Sequence, residues 1–259
     1  MRLHFERAGV GPPLLLLHGI GASSRSFRHQ LAGLSDAYDV IAWDAPGYGR
    51  SEDPAAPFTL EDLADQAVGL LGDLDIDSCH ILGVSLGGVV AQLMYQRHPA
   101  HVRSLILADT TPGGGALPEP MRSDRVRQRL ESLERLGPRG MAEQRAPQLA
   151  RPEAPPELIA ELVDIMAEVR PAGYRAAATA LGRTDLTSQL KAIRAPTLVI
   201  HGECDRVVAL STARELTAAI PGARLVVIPD AGHVANQEQP EAFNAAVRDF
   251  LSTRRPESA

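Results

Sequence analysis

Lysine is nearly missing from this chain of 259 residues: Lys191 is the only one, and arginine supplies the rest of 26 basic side chains. Against 32 acidic residues this leaves a net charge of −6 at pH 7. With no basic excess to neutralise phosphates, nucleic acid is not expected as a main partner. Long hydrophobic runs are also missing. The apolar run Pro13–Leu17 falls far short of the roughly 20 residues that span a bilayer, and Met1–Arg7 has no signal-peptide core, so no membrane partner is expected. Cysteine is down to two, Cys79 and Cys204, too few for a disulfide framework. Both fall in or beside expected strands and read as small buried hydrophobes, which points to a reduced, cytoplasmic protein. Aromatic residues make up only 4%, with Trp43 the sole tryptophan, so a binding pocket is expected to be mainly aliphatic.

Hydrophobic residues at 44% and charged residues at 22% are ordinary for a globular chain, and the length can bury a full core as one large domain. Short aliphatic runs alternate with helical patterns. The expected strands are Leu14–Leu17, Asp39–Trp43, His80–Gly83, Ser104–Ala108, Thr197–His201 and Leu225–Ile228. Several are unbroken aliphatic runs, as strands buried on both faces require. Helical spacing covers Leu60–Leu74, Gly87–Arg97, Ser211–Ala219 and Pro240–Leu251, with helix starts at Thr59 and at Gln239-Pro240. This alternation predicts an α/β fold with a mostly parallel, doubly wound sheet.

The alternation stops between Pro112 and Asp185, where helical segments lie around Met121–Leu136 and Pro156–Val169. We read 112–185 as a helical cap inserted after the sixth core strand, the one ending at Ala108, with 1–111 and 186–259 as the core. A cap there would cover the carboxyl edge of the sheet, where open α/β folds bind ligands. The tail 252–259 is expected to fray.

The chemistry begins at Cys79-His80-Ile81-Leu82-Gly83-Val84-Ser85-Leu86-Gly87-Gly88, an apolar strand running through G-x-S-x-G into a helix. A serine at such a turn is held strained and exposed at the sheet edge, beside the N–H groups that open the next helix. Serine needs a positioned base, itself oriented by a carboxylate. His233, in Pro229-Asp230-Ala231-Gly232-His233, follows the last expected strand and can hang over the same edge. Asp205 follows the strand Thr197–His201; Asp109, Glu203 and Asp230 compete for the role. In His18-Gly19-Ile20-Gly21 the glycines let the Ile20 N–H point at a developing oxyanion, with the Leu86 N–H as its partner. His18 is expected to brace this loop rather than act as a base. No cofactor or metal is expected, and no ligand cluster shows metal spacing.

These parts together resemble the α/β-hydrolase superfamily over nearly the whole chain. The order Ser85, Asp205, His233 matches that family's triad and favours Asp205 over its rivals. Asp44-Ala45-Pro46-Gly47-Tyr48-Gly49-Arg50-Ser51 is similar to the family's D-x-x-G-x-G-x-S turn, in which Asp44 is scaffold and not a metal ligand. Serine at position 85 separates the chain from relatives that use aspartate there. Within the family, Gly83–Gly88, Arg170–Ala177 and Gly232-His233 with Asn236–Pro240 resemble 3-oxoadipate enol-lactonases and small carboxylesterases. The resemblance implies a serine hydrolase that cleaves a small-molecule carboxylic ester or lactone through an acyl-enzyme. A C–C bond hydrolase using the same triad and a non-catalytic small-ligand receptor are the alternatives. Arg135, Arg139 and Arg175 are candidates for contact with an acidic substrate group. From 116 to 185 there are 11 arginines and 11 acidic residues, so most of these arginines are expected on solvated helix faces.

Overall fold

Aliphatic runs of this kind must hide both faces from water, and in the computed structural model, which describes residues 1–54 and 57–252, they form the middle of one sheet. Its strands are β1 (Phe5–Ala8), β2 (Pro13–Leu17), β3 (Asp39–Trp43), β4 (Cys79–Val84), β5 (Val102–Ala108), β6 (Thr197–Gly202) and β7 (Arg224–Ile228), in the order β1-β3-β2-β4-β5-β6-β7. Every pairing is parallel except β1 with β3.

The six expected strands are all present, each within two residues of its expected bounds. β1 is the addition: four edge residues, Phe-Glu-Arg-Ala, half-buried except for the exposed Arg7, too short and too charged to stand out as a pattern. The strand before the helical insertion is therefore the fifth of the described strands, not the sixth. The segment ahead of Pro13 accommodates only that one short strand and a glycine turn.

The helices are α1 (Arg28–Leu34), α2 (Leu60–Asp73), α3 (Leu86–Arg97), α4 (Met121–Leu149), α5 (Pro156–Met166), α6 (Pro171–Arg183), α7 (Leu210–Ala219), α8 (Ala235–Glu238) and α9 (Pro240–Ser252). Strand side chains alternate between two cores. Leu15 and Leu17 pack with α2, α3 and α7, while Leu14 and Leu16 pack with Leu34 of α1 and Phe243, Val247 and Phe250 of α9. Each such leucine, 0% exposed, contributes roughly 1.5–3 kcal/mol over leaving it in water. Thr59 and Asp62 form the expected capping box at the start of α2. The tail lies outside the described residues beyond Ser252. Among the described residues no helix is long and apolar enough to cross a membrane.

Helices α4, α5 and α6 occupy the stretch between β5 and β6 where the strand pattern stops. α4 is not one rod. Gly137 takes φ 68° and ψ 177°, Pro138 restarts the helix, and the chain folds back so that the Ser132 hydroxyl donates to Gln144 at 2.6 Å. The returning half packs against α5 and Val234 through Ala142, Ala146, Leu162 and Met166.

The elbow between β4 and α3 depends on close backbone contact. A Cβ at Gly87 would lie 2.0 Å from the Leu17 carbonyl oxygen, whereas at Gly69 of α2 it would meet nothing within 4 Å. Gly87→Ala should cost about 2 kcal/mol or more, as overpacking against backbone does. Gly69→Ala should instead stabilise by about 0.5–1 kcal/mol. Denaturant unfolding of both variants checks the contrast; equal effects would contradict the packing argument.

Candidate active site

Ser85 caps α3 with φ 53° and ψ −114°, a left-handed backbone that costs a non-glycine residue roughly 1–3 kcal/mol. The strain is held from both sides: the Ser85 N–H donates to Ala108 at 2.9 Å, and the Thr110 hydroxyl donates to the Ser85 carbonyl at 2.6 Å. Both anchors belong to β5 and its exit, so the neighbouring strand sets the direction of the serine. The hydroxyl stands 2.9 Å from Nε2 of His233.

His233 sits between β7 and α8, and its backbone N–H donates to Leu149 at the end of α4, at 2.7 Å. Its Nδ1 lies 2.8 Å from Oδ2 of Asp205, whose side chain is 0% exposed. Oδ1 of Asp205 accepts the N–H groups of Val207 and Val208 at 2.7 and 3.0 Å. Burial alone would raise the Asp205 carboxyl. The hydrogen bond and charge of His233, with those two N–H groups, outweigh it and hold the group below the usual carboxylate range. An ionised carboxylate only accepts, so Nδ1 of His233 donates to it and the Nε2 lone pair is left for the Ser85 hydroxyl.

The His18–Gly21 loop meets the serine directly: Gly19 is so close that a Cβ there would lie 3.3 Å from that of Ser85. Ile20 lines one small cavity at Ser85 and Leu86 lines another. Among the described residues, neither the Ile20 nor the Leu86 N–H donates to a carbonyl or side chain. His18 braces the loop, with Nδ1 2.8 Å from the Gly19 carbonyl and Nε2 accepting the Ala45 N–H at 3.0 Å. Burial lowers its pKa, consistent with a neutral ring that accepts at Nε2. Asp44 accepts the N–H groups of Ser24 and Arg50 at 2.7 and 2.9 Å, as scaffold.

Asp109 is not the partner of His233. It is 0% exposed at the end of β5, where Oδ1 accepts the Gly202 N–H at 2.8 Å and Oδ2 accepts that of Ala235 at 3.4 Å. It thus joins the loop that carries Asp205 to the loop that carries His233. Burial first, and then repulsion from Asp205, raises its pKa well above the ordinary value. Glu238, which sequence reasoning passed over, does similar work by accepting Gly232 and Arg151 N–H groups at 2.6 and 2.9 Å. Ligand atoms of Asp109, His201 and Asp205 lie within 4.8 Å of one another, a grouping that sequence spacing could not reveal. The carboxylate oxygens in it already accept backbone N–H groups or His233, so a cation would have to displace those donors. Burial pushes the Cys79 thiol up to about 12, and Cys204 is half-buried; both are free.

The arginine candidates fare differently. Arg139 pairs with Asp164 on the surface at 2.9 Å, Arg175 lines a separate cleft, and Arg135 reaches only the outer rim of the site. Arg129 and Arg145, not singled out in the sequence, border one space at Ser85, and Arg122, Arg125 and Arg129 border the other. The rest of the first space is mostly aliphatic, including Ile20, Leu162, Ile165, Met166 and Val207, with Tyr174 as its aromatic member.

A raised carboxyl pKa makes the folded state hold a proton. The stability this gives is complete below the unfolded value near 3.9 and drains away as pH climbs toward the folded pKa. Asp109→Asn cannot ionise. The wild-type melting temperature should therefore fall relative to that of the variant as pH rises from about 5 to 9; parallel profiles would show that Asp109 does not titrate on folding.

Comparison with known proteins gives a consistent picture. A family model described as alpha/beta hydrolase fold matches residues 12–240. The chain is 30% identical to 3-oxoadipate enol-lactonase 2 of Acinetobacter baylyi over 244 residues, covering 93% of this chain and 88% of that protein. It is 31% identical to a 2-hydroxy-6-oxononadienedioate/2-hydroxy-6-oxononatrienedioate hydrolase of Cupriavidus pinatubonensis, over 96% of this chain and 90% of that protein. Among solved structures, a malate-bound thermophilic esterase from Thermogutta terrifontis superposes with a TM-score of 0.90 at 32% identity. The match covers 97% of this chain and 93% of that one.

Proposed function

The chain belongs to the α/β-hydrolase family, and from that premise we propose that it is a serine hydrolase cleaving a small-molecule carboxylic ester or lactone. What carries this reading is the unbroken run of hydrogen bonds from Asp205 through His233 to the Ser85 hydroxyl, 2.8 and 2.9 Å long. In the reading, His233 takes the Ser85 proton from Oγ as that oxygen attacks the carbonyl carbon. Asp205 holds the ring in the required tautomer and stabilises the imidazolium that forms. The N–H groups of Ile20 and Leu86, with no acceptor of their own among the described residues, receive the oxyanion. Collapse transfers the proton from His233 to the leaving alcohol oxygen and gives an acyl-enzyme on Ser85. His233 then draws a proton from water as its oxygen attacks the acyl carbon, and returns that proton to Oγ of Ser85 as the acyl–Oγ bond breaks and the acid leaves. As written, the sequence of steps consumes only water. We read 112–185 as a cap over this edge, carried by a core of 1–111 and 186–259.

One relative's name favours a second reading, C–C bond hydrolysis with the same groups. Turnover of a dienoate or β-diketone in preference to a short p-nitrophenyl ester would establish it. The enol-lactonase relative and the esterase structure favour ester or lactone cleavage.

Ser85→Ala should lower ester turnover by about 10⁴-fold or more, because nucleophile and base act as one unit. Its unfolding midpoint should stay close to that of the wild type. Assay against a panel of esters and lactones, with fluorophosphonate labelling followed by mass spectrometry, checks both points. Retained activity, or a label on another residue, would sink the nucleophile assignment.

A further inference from the structure

Two spaces meet at Ser85, and a third lies outside them. The two are small lobes of about 60 and 50 Å³, each bounded by Ser85 and His233, and the third is an outer cleft of about 940 Å³. Arg129 and Val207 border all three, while Arg145 and Tyr174 border the cleft and the smaller lobe. The wall shared by the cleft and the smaller lobe therefore carries two guanidinium groups.

Of the arginines on the same stretch, Arg125, Arg135, Arg175 and Arg183 are exposed, Arg125 at the cleft and the larger lobe, whereas Arg129 and Arg145 are half-buried. Arg122, Arg127, Arg139, Arg151 and Arg170 each face a carboxylate. Among the described residues no carboxylate lies within 4.0 Å of Arg129 or Arg145. Glu131 and Glu134 line the outer cleft, and Glu131 is approached by Arg127 at 3.7 Å. Among the described residues no acid borders the smaller lobe, and Asp109 alone borders the larger.

Two like charges have been brought together on purpose-built backbone. Arg129 and Arg145 lie sixteen positions apart, which along one straight helix would separate them by about 24 Å. The reversal at Gly137 returns the second half of α4 beside the first and sets both guanidiniums at the same neck. Burial lowers the pKa of each, and the charge of Arg129 adds to that effect on Arg145. Arg145 donates to the Gln148 side-chain oxygen at 2.8 Å, but half-buried cations that face no carboxylate remain costly unless a counter-charge arrives.

We propose that Arg129 and Arg145 form a carboxylate subsite, and that the ester or lactone cleaved at Ser85 carries a free carboxylate a few bonds from the scissile carbonyl. This rests on the serine-hydrolase reading above. Guanidinium groups bind a carboxylate by charge-assisted, often bidentate, hydrogen bonds, which orient the substrate as well as attract it. The two lobes, each of a size to take only a few non-hydrogen atoms without movement, restrict the rest of the molecule to short chains.

The test compares monoethyl succinate with ethyl butyrate, which replaces the free carboxylate by a methyl group, in a pH-indicator assay. The wild type should favour the succinate ester in kcat/KM by about tenfold or more. Arg129→Gln and Arg145→Gln should each reduce that preference about tenfold, mainly through KM, and Arg145→Lys should keep part of it. Arg139→Gln, on the surface, should leave the ratio unchanged. A wild type that treats the two esters alike, or variants that lose both equally, would overturn the subsite while leaving the hydrolase reading intact. If neither ester turns over, the hydrolase reading fails for these substrates, and calorimetric titration of succinate into Ser85→Ala protein still decides the subsite. Binding abolished by adding Arg129→Gln supports it; no binding in the Ser85→Ala protein overturns it.

Discussion

Everything at the site follows from how near two backbones come at the elbow. Gly87 leaves no room for a side chain between the first turn of α3 and the end of β2, where the Leu17 carbonyl oxygen would lie 2.0 Å from an added Cβ. That contact presses the Ser85 turn against the loop that continues from β2, and so puts Gly19 beside the serine and Ile20 at its cavity. The strained angles of Ser85 persist because β5 holds its N–H and Thr110 its carbonyl. A looser packing here would leave a serine at a turn and two amide groups pointing elsewhere.

Electrostatics then separates two carboxylates whose oxygens lie within 4.8 Å of each other. Asp205 faces His233 and two backbone donors and is held low, whereas Asp109, fully buried and repelled by its neighbour, is pushed high. One environment favours a permanent negative charge that orients an imidazole; the other favours a neutral group that ties two loops together. Such divergence between neighbouring acids is a usual sign of distinct roles. It also explains why Asp109, a reasonable rival on sequence, does not contact His233. Its strand ends one position away in the sheet, and its oxygens are spent on Gly202 and Ala235.

The helical insertion is part of the same construction. Leu149 accepts the His233 N–H, and Val234 packs among Ala142, Ala146 and Met166, so the histidine loop is supported by α4 and α5 as well as by the sheet. The reversal at Gly137 supplies both that support and the pair of arginines beside the Ser85 space.

Much of this was written in local pattern. Short aliphatic runs alternating with helical patterns fit strands buried on both faces, so six strands and the parallel sheet could be read from the sequence, as could the helix start at Thr59. G-x-S-x-G after β4 and the loops after β6 and β7 marked Ser85, Asp205 and His233, because a parallel sheet delivers all its carboxyl ends to one edge; the family order chose Asp205 over Glu203, Asp109 and Asp230. Short or long-range features were not legible. β1 is four residues of mixed polarity that become a strand only by pairing with β3. Glu238, Asp109, Arg129 and Arg145 owe their roles to neighbours far away in the chain or across a helix reversal. Periodicity records which face a residue occupies and says nothing of what stands opposite, and it is the opposing surface that turns an arginine on a helix into a wall of the site.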